Sequence, residues 1–411
     1  GAANRLALNA GYRYGEDNFA VQYRVPPAAS EPGEYRIING NEAFALGCVT
    51  AARLAGKPLV YSSYPITPAS DVLHHLARLK HFDVRPIQAE DEIAAMGSAI
   101  GAAFGGAFSV TGTSGPGVCL KSEAIGLAIM LELPLVILNV QRGGPSTGLP
   151  TKPEQADLLQ AITGRNGESP IPVLAASGPA DCFDIAIEAF RIAVRHMTPV
   201  MVLSDSYVAN SAEPWRVPVF EEFDPIPVEH PTAAAEFQPY SRDEATLARP
   251  WAVPGVPGLE HRLGGLEKQH ETGNVCYEPE NHEHMYQLRA DKVKRIAGFV
   301  DEQPVDIAEE TDLLVLSWGG VRGAVSAAVS QCRAKGLSVA HAHLRYLNPF
   351  PRNLGALLAR HRKILIPELN CGQLALLIRA QYLKEVVSLS KVQGRPFTIA
   401  EVESRIEEVL S

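Results

Sequence analysis

The sequence predicts an α/β fold in which parallel β-sheets are flanked by helices. Short apolar runs alternate with amphipathic stretches over residues 36–205, and the same alternation returns from residue 312. This order of elements is typical of βαβ units, which build parallel sheets. The composition agrees, because 411 residues with 46% hydrophobic and 20% charged side chains are enough for two or three ordinary globular domains.

In the first series, the apolar runs predict strands and the amphipathic stretches predict the helices that cross between them. The expected strands are at 59–63, 84–88, 108–112, 135–140, 171–175 and 200–203. The expected helices are at 71–80, 92–104, 118–131 and 181–195. We assign this series to a first domain at residues 36–212, preceded by a tail or linker at residues 1–35.

Residues 213–260 interrupt the alternation with nine prolines. Because proline fixes φ and lacks an N–H donor, we expect an extended connector here rather than part of a sheet. With the polar, partly helical segment that follows, this connector is assigned to residues 213–310. A smaller α/β domain is then predicted at residues 311–411. Its expected strands are at 313–317, 337–341 and 364–367, and its expected helices are at 322–334, 372–384 and 399–410.

The composition also argues against several classes of function. The 37 Lys and Arg against 46 Asp and Glu give a net charge of −9 without a basic run, which argues against nucleic-acid binding. No stretch approaches the roughly 18 uninterrupted apolar residues of a membrane-spanning helix, so we predict no membrane span. The closest two of the six cysteines are 39 residues apart, which argues against a disulfide framework and suits a reducing cytoplasm.

Two motifs are ambiguous when they are taken alone. The run Thr111–Gly117 follows an expected strand, and its glycines could present backbone N–H groups to an anion or a polar ring, or form a tight turn without a ligand. It departs from both the Walker loop and the dinucleotide fingerprint. The segment Asn281–His284 lacks the ligand spacing of zinc motifs, so we interpret it as a solvated loop and predict no metal site on this chain.

Three further segments carry chemically capable side chains. Thr67 stands between two prolines after the first strand, where open α/β sheets bind ligands, or it lies in an ordinary proline-punctuated loop. Glu92 begins a pattern with Gly97 and Gly101, and these glycines are expected to bring the helix close to the sheet and leave the carboxylate in a dry setting. Alternatively, Glu92 only stabilises the helix N-terminus. Arg142 follows a strand and could clamp a carboxylate, or pair with a surface aspartate.

Taken together, these segments resemble the α subunit of the 2-oxoacid:ferredoxin oxidoreductases, which use thiamine diphosphate. The resemblance runs from about residue 36 to residue 411 and is carried by Tyr64–Ser70, Gln88–Gly101, Thr111–Gly117, Gln141–Thr151, Leu344–Pro351 and Ile366–Leu374. The run Gly-Pro-Ser-Thr-Gly-Leu-Pro-Thr at residues 144–151 looks most like the 2-oxoglutarate branch. The resemblance implies that the first domain is the pyrimidine-binding domain of a thiamine-diphosphate enzyme. It implies that the second is similar to the C-terminal domain of transketolase.

The resemblance also implies roles for individual residues. Glu92, rather than Glu90, would hydrogen-bond the aminopyrimidine of the cofactor and promote its imino tautomer, because only Glu92 keeps the glycine spacing. Thr67 and Arg142 would act with Glu92 in catalysis by holding the 1-carboxylate and the 2-oxo group of the substrate. The other residues implied at the site are Tyr64, Pro65, Ile66, Thr113, Ser114 and Gly115 for the cofactor, and Ser146 and Thr147 for the substrate.

Parts of the family's machinery are absent from this sequence. It has no evident Gly-Asp-Gly…Asn segment for magnesium and diphosphate, and no set of cysteines for a cluster. The resemblance therefore implies a β subunit that carries Mg²⁺, the diphosphate site and a [4Fe-4S] cluster, in a heterotetramer that is a dimer of α–β units. A γ domain or subunit is also implied, because Asn4–Tyr14 looks like the end of such a domain.

The expected reaction is the oxidative decarboxylation of 2-oxoglutarate with coenzyme A to succinyl-CoA and CO2, with the electrons passed to ferredoxin. Run in reverse, the reaction would serve a reductive tricarboxylic acid cycle, and the enzyme is expected in the cytoplasm. Two alternatives stay open: a pyruvate or branched-chain 2-oxoacid enzyme, and a non-catalytic assembly scaffold with a degenerate thiamine-type domain. The intact set Thr67, Glu92 and Arg142 argues against the scaffold.

Overall fold

The computed structural model describes residues 1–19, 31–232 and 237–411. The chain divides into two compact units, residues 1–35 and residues 36–411. In the first unit, helix α1 (Ala2–Asn18) occupies much of the segment that we expected to be a tail or linker. Its alanines, leucines and arginines favour a helix, and no proline interrupts them. Residues 20–30 of the expected tail lie outside the described residues.

Strands and helices alternate along most of the remaining chain. The strands are β1 (Tyr35–Asn39), β2 (Leu59–Ser63), β3 (Val84–Gln88), β4 (Phe108–Thr113), β5 (Leu135–Gln141), β6 (Val173–Ala175), β7 (Pro199–Asp205), β8 (Ala212–Arg216), β9 (Leu313–Trp318), β10 (Val339–Leu344), β11 (Tyr346–Asn348), β12 (Lys363–Glu368) and β13 (Val387–Ser390). The helices are α2 (Gly40–Leu54), α3 (Ser70–Leu76), α4 (Glu92–Phe104), α5 (Gly115–Leu131), α6 (Leu158–Thr163), α7 (Asp181–His196), α8 (Ser206–Asn210), α9 (Pro279–Arg295), α10 (Arg322–Ala334), α11 (Leu354–Ala359), α12 (Gln373–Tyr382) and α13 (Ile399–Leu410). Across the described ranges, no helix is both long and apolar enough to span a membrane.

Seven strands form the main sheet, in the order β11–β6–β7–β5–β4–β2–β3. Every neighbouring pair is parallel except β11 with β6, which is antiparallel. The central strands β5 and β7 are buried at every position, as in parallel sheets that helices cover on both faces. The predicted α/β fold is therefore confirmed.

A second, smaller sheet has the order β10–β9–β12–β13, and its strands are all parallel. Strand β11 follows β10 directly in the chain but lies in the main sheet. One apolar cluster contains Leu135 and Met201 of the main sheet together with Leu314 and Ile366 of the second sheet. The two sheets therefore share a core across the boundary that we placed at residue 311.

Several element boundaries differ from the sequence prediction for local reasons. The helix expected at 71–80 ends at Leu76, and the chain then passes through a 3₁₀ turn at Lys80–Phe82. Asp83 adopts the left-handed conformation, with φ 57°, and turns the chain into β3. The strand expected at 171–175 begins at Val173, because Pro172 has no N–H to donate to a neighbouring strand.

The segment Asn281–His284 lies in helix α9 and not in the solvated loop that we expected. Pro279 at the first helical position and three basic residues in the last turn both favour this helix. His282 pairs with Glu267, with Nδ1 and Oε2 2.8 Å apart. Within the ranges that the structure describes, no group of three or more His, Cys, Asp or Glu side chains could hold a metal ion.

The proline-rich connector is anchored to the main domain by a buried charge cluster. Glu132, at the end of α5, is 2% exposed and pairs with Arg242 of the connector and Lys292 of α9. Arg249 donates to the carbonyl oxygens of Leu131 and Glu132 at 3.0 and 3.1 Å. Burial alone would raise the pKa of Glu132, but the charges of Lys292 and Arg242 lower it to about 2. The ionised carboxylate of Glu132 therefore anchors the connector to the main domain.

Candidate active site

Most of the side chains implied at the site meet at one edge of the main sheet. Tyr64 follows β2, Thr113 ends β4 and Arg142 follows β5. These strands lie side by side in the order β5–β4–β2 and are parallel, so their carboxyl ends share an edge. Ligands of open α/β sheets bind at this edge.

Tyr64, Thr113 and Glu92 come together around Gly117 in α5. The hydroxyls of Tyr64 and Thr113 are 2.9 Å apart, and both side chains are buried. A Cβ atom at Gly117 would lie 2.0 Å from Tyr64 Oη, 2.2 Å from Thr113 Oγ1 and 3.2 Å from Glu92 Cγ. Only glycine fits at this position. Burial raises the pKa of Tyr64, so its hydroxyl stays protonated at neutral pH.

Glu92 is the first residue of α4, after the N-cap Asp91, whose carboxylate accepts from Ala94 N at 2.8 Å. The expectation that Gly97 and Gly101 bring this helix close to the sheet is wrong. A Cβ at either glycine would have no neighbour within 4 Å. The helix packs on the sheet through its alanines and Met96 on the opposite side, so the glycine face is open and Glu92 is partly exposed.

The turn that carries Pro65, Ile66 and Thr67 is held by two side chains. Ser70 Oγ accepts from Ile66 N at 2.9 Å and donates to Ile66 O at 3.0 Å. Asn41 Nδ2 donates to Pro68 O at 2.9 Å. The Thr67–Pro68 peptide is cis. The turn therefore presents Thr67 at the surface of the chain, at the end of β2.

Arg142 and Thr67 are brought together directly. Arg142 Nη1 donates to the carbonyl oxygen of Thr67 at 2.6 Å. The Arg142 side chain is buried, and its Nε has no partner among the described residues. The unpaired Nε–H of Arg142 and the exposed side chain of Thr67 therefore belong to two residues in direct contact.

The loop after Arg142 does not bring Ser146 and Thr147 to the contact between Arg142 and Thr67. Gly143 N donates to Lys152 O at 2.9 Å, and Leu149 N donates to Gly143 O at 2.8 Å. Ser146 has φ 56° and lies with Thr147 at the exposed tip of the loop. Within the described ranges, no hydrogen bond joins either side chain to Arg142.

The N-terminus of α5 supplies the remaining cofactor residues that we expected. Ser114 is the N-cap, and its buried Oγ has no hydrogen-bond partner in the described part of the chain. A Cβ at Gly115 would lie 2.7 Å from Asp157 Oδ2. Burial raises the pKa of Asp157, and a hydrogen bond from Asn139 opposes that shift. Asp157 gave no signal in the sequence, because it follows no motif.

Two further residues were missed because only tertiary structure brings them to their partners. Lys121 of α5 is fully buried, and its Nζ donates to Glu92 O at 3.1 Å. Gln155 joins the segment after Arg142 to the second sheet. Its Nε2 donates to Trp318 O at 2.7 Å, and its Oε1 accepts from Leu369 N at 3.0 Å.

Comparison with known proteins identifies the family of the chain. The family model for pyruvate flavodoxin/ferredoxin oxidoreductase, thiamine diP-bdg, matches residues 51–279. The model for pyruvate:ferredoxin oxidoreductase core domain II matches residues 311–402. The solved 2-oxoglutarate:ferredoxin oxidoreductase from Magnetococcus marinus, with 2-oxoglutarate, coenzyme A and succinyl-CoA bound, is similar with a TM-score of 0.91 and 35% identity. The match covers 100% of this chain and 71% of that chain.

Two curated relatives extend the comparison. The 2-oxoglutarate oxidoreductase subunit KorA of Mycobacterium tuberculosis is 54% identical over 100% of this chain, which spans 63% of that protein's length. The 2-oxoglutarate synthase subunit KorA of Methanothermobacter thermautotrophicus is 33% identical over 88% of this chain and 95% of its own length. The chain thus covers less than two thirds of the first relative and nearly all of the second.

Proposed function

The chain belongs to the pyruvate flavodoxin/ferredoxin oxidoreductase family, and from that premise we propose that it is the α subunit of a 2-oxoglutarate:ferredoxin oxidoreductase. In the proposed reaction, 2-oxoglutarate and coenzyme A give succinyl-CoA and CO2, and two electrons pass to oxidised ferredoxin. The observation that carries the proposal is the meeting of Glu92, Tyr64 and Thr113 at Gly117. Such a group suits the pyrimidine side of thiamine diphosphate.

The residues present fit an aminopyrimidine ring. Ser114 Oγ and Arg142 Nε are buried polar atoms without partners among the described residues, so each is available to a ligand. Gly117 has no side chain, which lets Tyr64, Thr113 and Glu92 pack together at the N-terminal end of α5. When bound, thiamine diphosphate supplies the carbon nucleophile that attacks a 2-oxo group.

The proposed work of this chain is to move one proton and to hold the substrate. Glu92 exchanges a proton with the ring nitrogen of the pyrimidine. Tyr64 stays neutral because it is buried, so it adds no competing charge beside that carboxylate. Arg142, already fixed against Thr67, pairs with the 1-carboxylate of the 2-oxoacid, because a buried guanidinium binds a carboxylate strongly. Ser146 and Thr147 stay proposed substrate contacts that require the loop to close over the ligand.

The choice of 2-oxoglutarate is supported by the names of the relatives and of the solved structure. The alternative is a pyruvate or branched-chain 2-oxoacid, and pyruvate is the substrate named in the family model. A non-catalytic scaffold is disfavoured by the joined geometry of Arg142 and Thr67.

The partners are proposed from what this chain lacks and from one exposed surface. We propose that a β subunit brings Mg²⁺, the diphosphate site and a [4Fe-4S] cluster, that a γ domain or subunit takes part, and that the complex is a dimer of α–β units in the cytoplasm. Ile93 of α4 and Leu120 of α5 are 62% and 56% exposed. The exposed apolar side chain of Ile93, next to Glu92 in the chain, suits a protein partner that covers the site and shields the carboxylate from water.

The test is an anaerobic viologen-reduction assay on the complex purified with its native partners. The assay compares 2-oxoglutarate with pyruvate, each with and without coenzyme A. Preference for 2-oxoglutarate with full dependence on coenzyme A is the expected result. Preference for pyruvate would overturn the substrate assignment. No reduction with any 2-oxoacid, in a complex shown to hold its cofactor and cluster, would favour the scaffold.

A matched pair of variants tests the role of Glu92. Glu92→Gln should lower turnover about 100-fold or more, the usual size of a lost proton-transfer group. Glu90→Gln is the control, because Glu90 is exposed in the turn before α4 and carries the same chemistry two residues away. Equal activity of the two variants would remove the role assigned to Glu92.

A further inference from the structure

Lys121 is a buried cation that forms no ion pair with any described residue. It lies one turn after Gly117 in α5 and is 0% exposed. Its Nζ donates to the carbonyl oxygen of Glu92 at 3.1 Å and to the hydroxyl of Thr111 at 3.0 Å. A buried ammonium held only by neutral acceptors costs stability relative to an apolar side chain of the same size. The charge therefore calls for an explanation other than packing.

The surroundings of Lys121 belong to three separate elements of the site. Glu92 begins α4, Thr111 lies in β4, and the ring of Tyr64 follows β2, with its centroid 5.1 Å from the ammonium. Lys121 thus ties the first turn of α4 to the strand beside it. An ammonium over an aromatic face adds electrostatic attraction to this contact.

The titratable groups that face Lys121 are Glu92 at the start of α4, Asp91 just before this helix, and Tyr64 after β2. Burial lowers the pKa of Lys121 to about 8, and the charges of Glu92 and Asp91 act in the opposite direction. Lys121 is therefore charged at neutral pH and loses its proton as the pH rises through about 8. Its electrostatic support of Glu92 is present below that pH and lost above it.

We propose that Lys121 is a positioning residue for Glu92. By holding the Glu92 carbonyl, it fixes where α4 begins, and by its charge it keeps the neighbouring carboxylate in a favourable field. This rests on the proposed function, in which Glu92 moves a proton at the pyrimidine ring. Without Lys121, the Glu92 carbonyl loses its ammonium donor and the carboxylate loses a nearby cation, so the proton transfer that it supports should slow.

The test measures hydrogen–deuterium exchange at C2 of thiamine diphosphate bound to the whole complex, by acid quench and proton NMR, without turnover of a 2-oxoacid. The variant is Lys121→Met, whose unbranched side chain is one atom shorter and carries no charge. Exchange should slow about 10-fold or more, part of the usual contribution of a positioned proton-transfer group. Cofactor content and melting temperature are measured on the same samples.

Lys268→Met is the matched control. Lys268 is also buried, at 2% exposed, with Nζ donating to Met130 O at 3.0 Å and lying 5.6 Å from the centroid of the Tyr240 ring. Burial lowers its pKa to about 8 as well. Both variants replace a buried ammonium by an apolar side chain, so both should keep or raise the melting temperature, but Lys268→Met should exchange at the wild-type rate. An equal slowing in both variants would show a loss of structure and overturn the proposal.

The pH profile gives a readout that a purely structural role would not move. The ratio of the wild-type rate to the Lys121→Met rate should fall toward one as the pH rises from about 7 to 9, because the wild-type ammonium is lost in that range. A ratio of one at every pH, with cofactor bound, would overturn the proposal and leave the function intact. A wild-type exchange rate in Glu92→Gln would instead remove the proposed function.

If Lys121→Met yields no assembled complex, Thr111→Val replaces it. This change removes one of the two acceptors of Lys121 and keeps the charge. Slower exchange with unchanged cofactor content supports the proposal. A wild-type rate across the pH range contradicts it.

Discussion

A single methyl group added at Gly117 should disable the site, and the structure gives the size of the effect. In Gly117→Ala, the new carbon would lie 2.0 Å from Tyr64 Oη and 2.2 Å from Thr113 Oγ1. Both side chains are buried, so the ring must move and the hydrogen bond between the two hydroxyls is lost. Overpacking costs about 1–3 kcal/mol and a broken buried hydrogen bond about 1–3 kcal/mol, while Ala gains about 1 kcal/mol over Gly in a helix. The net loss in unfolding free energy is roughly 1–5 kcal/mol.

Gly126→Ala is the control in the same helix. A Cβ at Gly126 would meet no atom within 4 Å, so this change should stabilise the chain by up to about 1 kcal/mol. The assay is thermal denaturation of the purified complex by circular dichroism, together with the thiamine content of the same sample. Gly117→Ala should melt below wild type and lose cofactor, and Gly126→Ala should do neither. A Gly117→Ala complex that melts at the wild-type temperature and keeps its cofactor would refute the close approach on which the site is built.

Three other variants test separate contacts. Arg142→Met should lower kcat/KM for the 2-oxoacid about 100-fold in the viologen assay, because a buried charge partner of the carboxylate is lost; an unchanged KM and kcat would contradict the assignment. Glu132→Gln should cost about 3–5 kcal/mol in urea denaturation, because it leaves Lys292 buried and unpaired. The folded pKa of Glu132, about 2, is below the unfolded value of about 4.3, so its contribution is full above about pH 5 and is lost as the pH falls toward 2. The acid unfolding of Glu132→Gln should therefore depend less on pH than that of wild type. Gln155→Leu should lower the melting temperature, because it strips the partners from Trp318 O and Leu369 N at about 1–3 kcal/mol each; an unchanged melting temperature would show that water replaces them.

The sequence predicts six of the seven strands of the main sheet, because each of the six is a short apolar run between turn residues. It does not predict α2, which the structure places at Gly40–Leu54. Ten of its residues are buried on several faces, so the helix lacks the single apolar stripe that reveals an amphipathic helix. Strand β11 is missed for another reason, because a three-residue strand whose partner is far away in sequence leaves no local pattern.

The site residues that belong to recognisable sequence motifs could be predicted. Thr67, Glu92 and Arg142 stand at strand ends and a helix start, where the sequence pattern alone places them near one edge. The spacing of Gly97 and Gly101 predicts a helix but not which side of it meets the sheet, and the structure turns those glycines outward. Lys121 is invisible in the sequence, because a lone lysine in a helix is usually an exposed residue.

Strand β11 is synthesised long after β6, the strand with which it pairs. In the sheet, β6 lies between β7 and β11. About 170 residues separate Ala175 from Tyr346, so β11 is synthesised well after β6 and β7. At 5–20 residues per second, the ribosome needs roughly 10–30 s to make that stretch. Throughout that interval β6 presents the unpaired hydrogen-bonding groups of an edge strand, which are a template for strands of other nascent chains. Sealing this edge is thus a late contribution of the second domain to its neighbour.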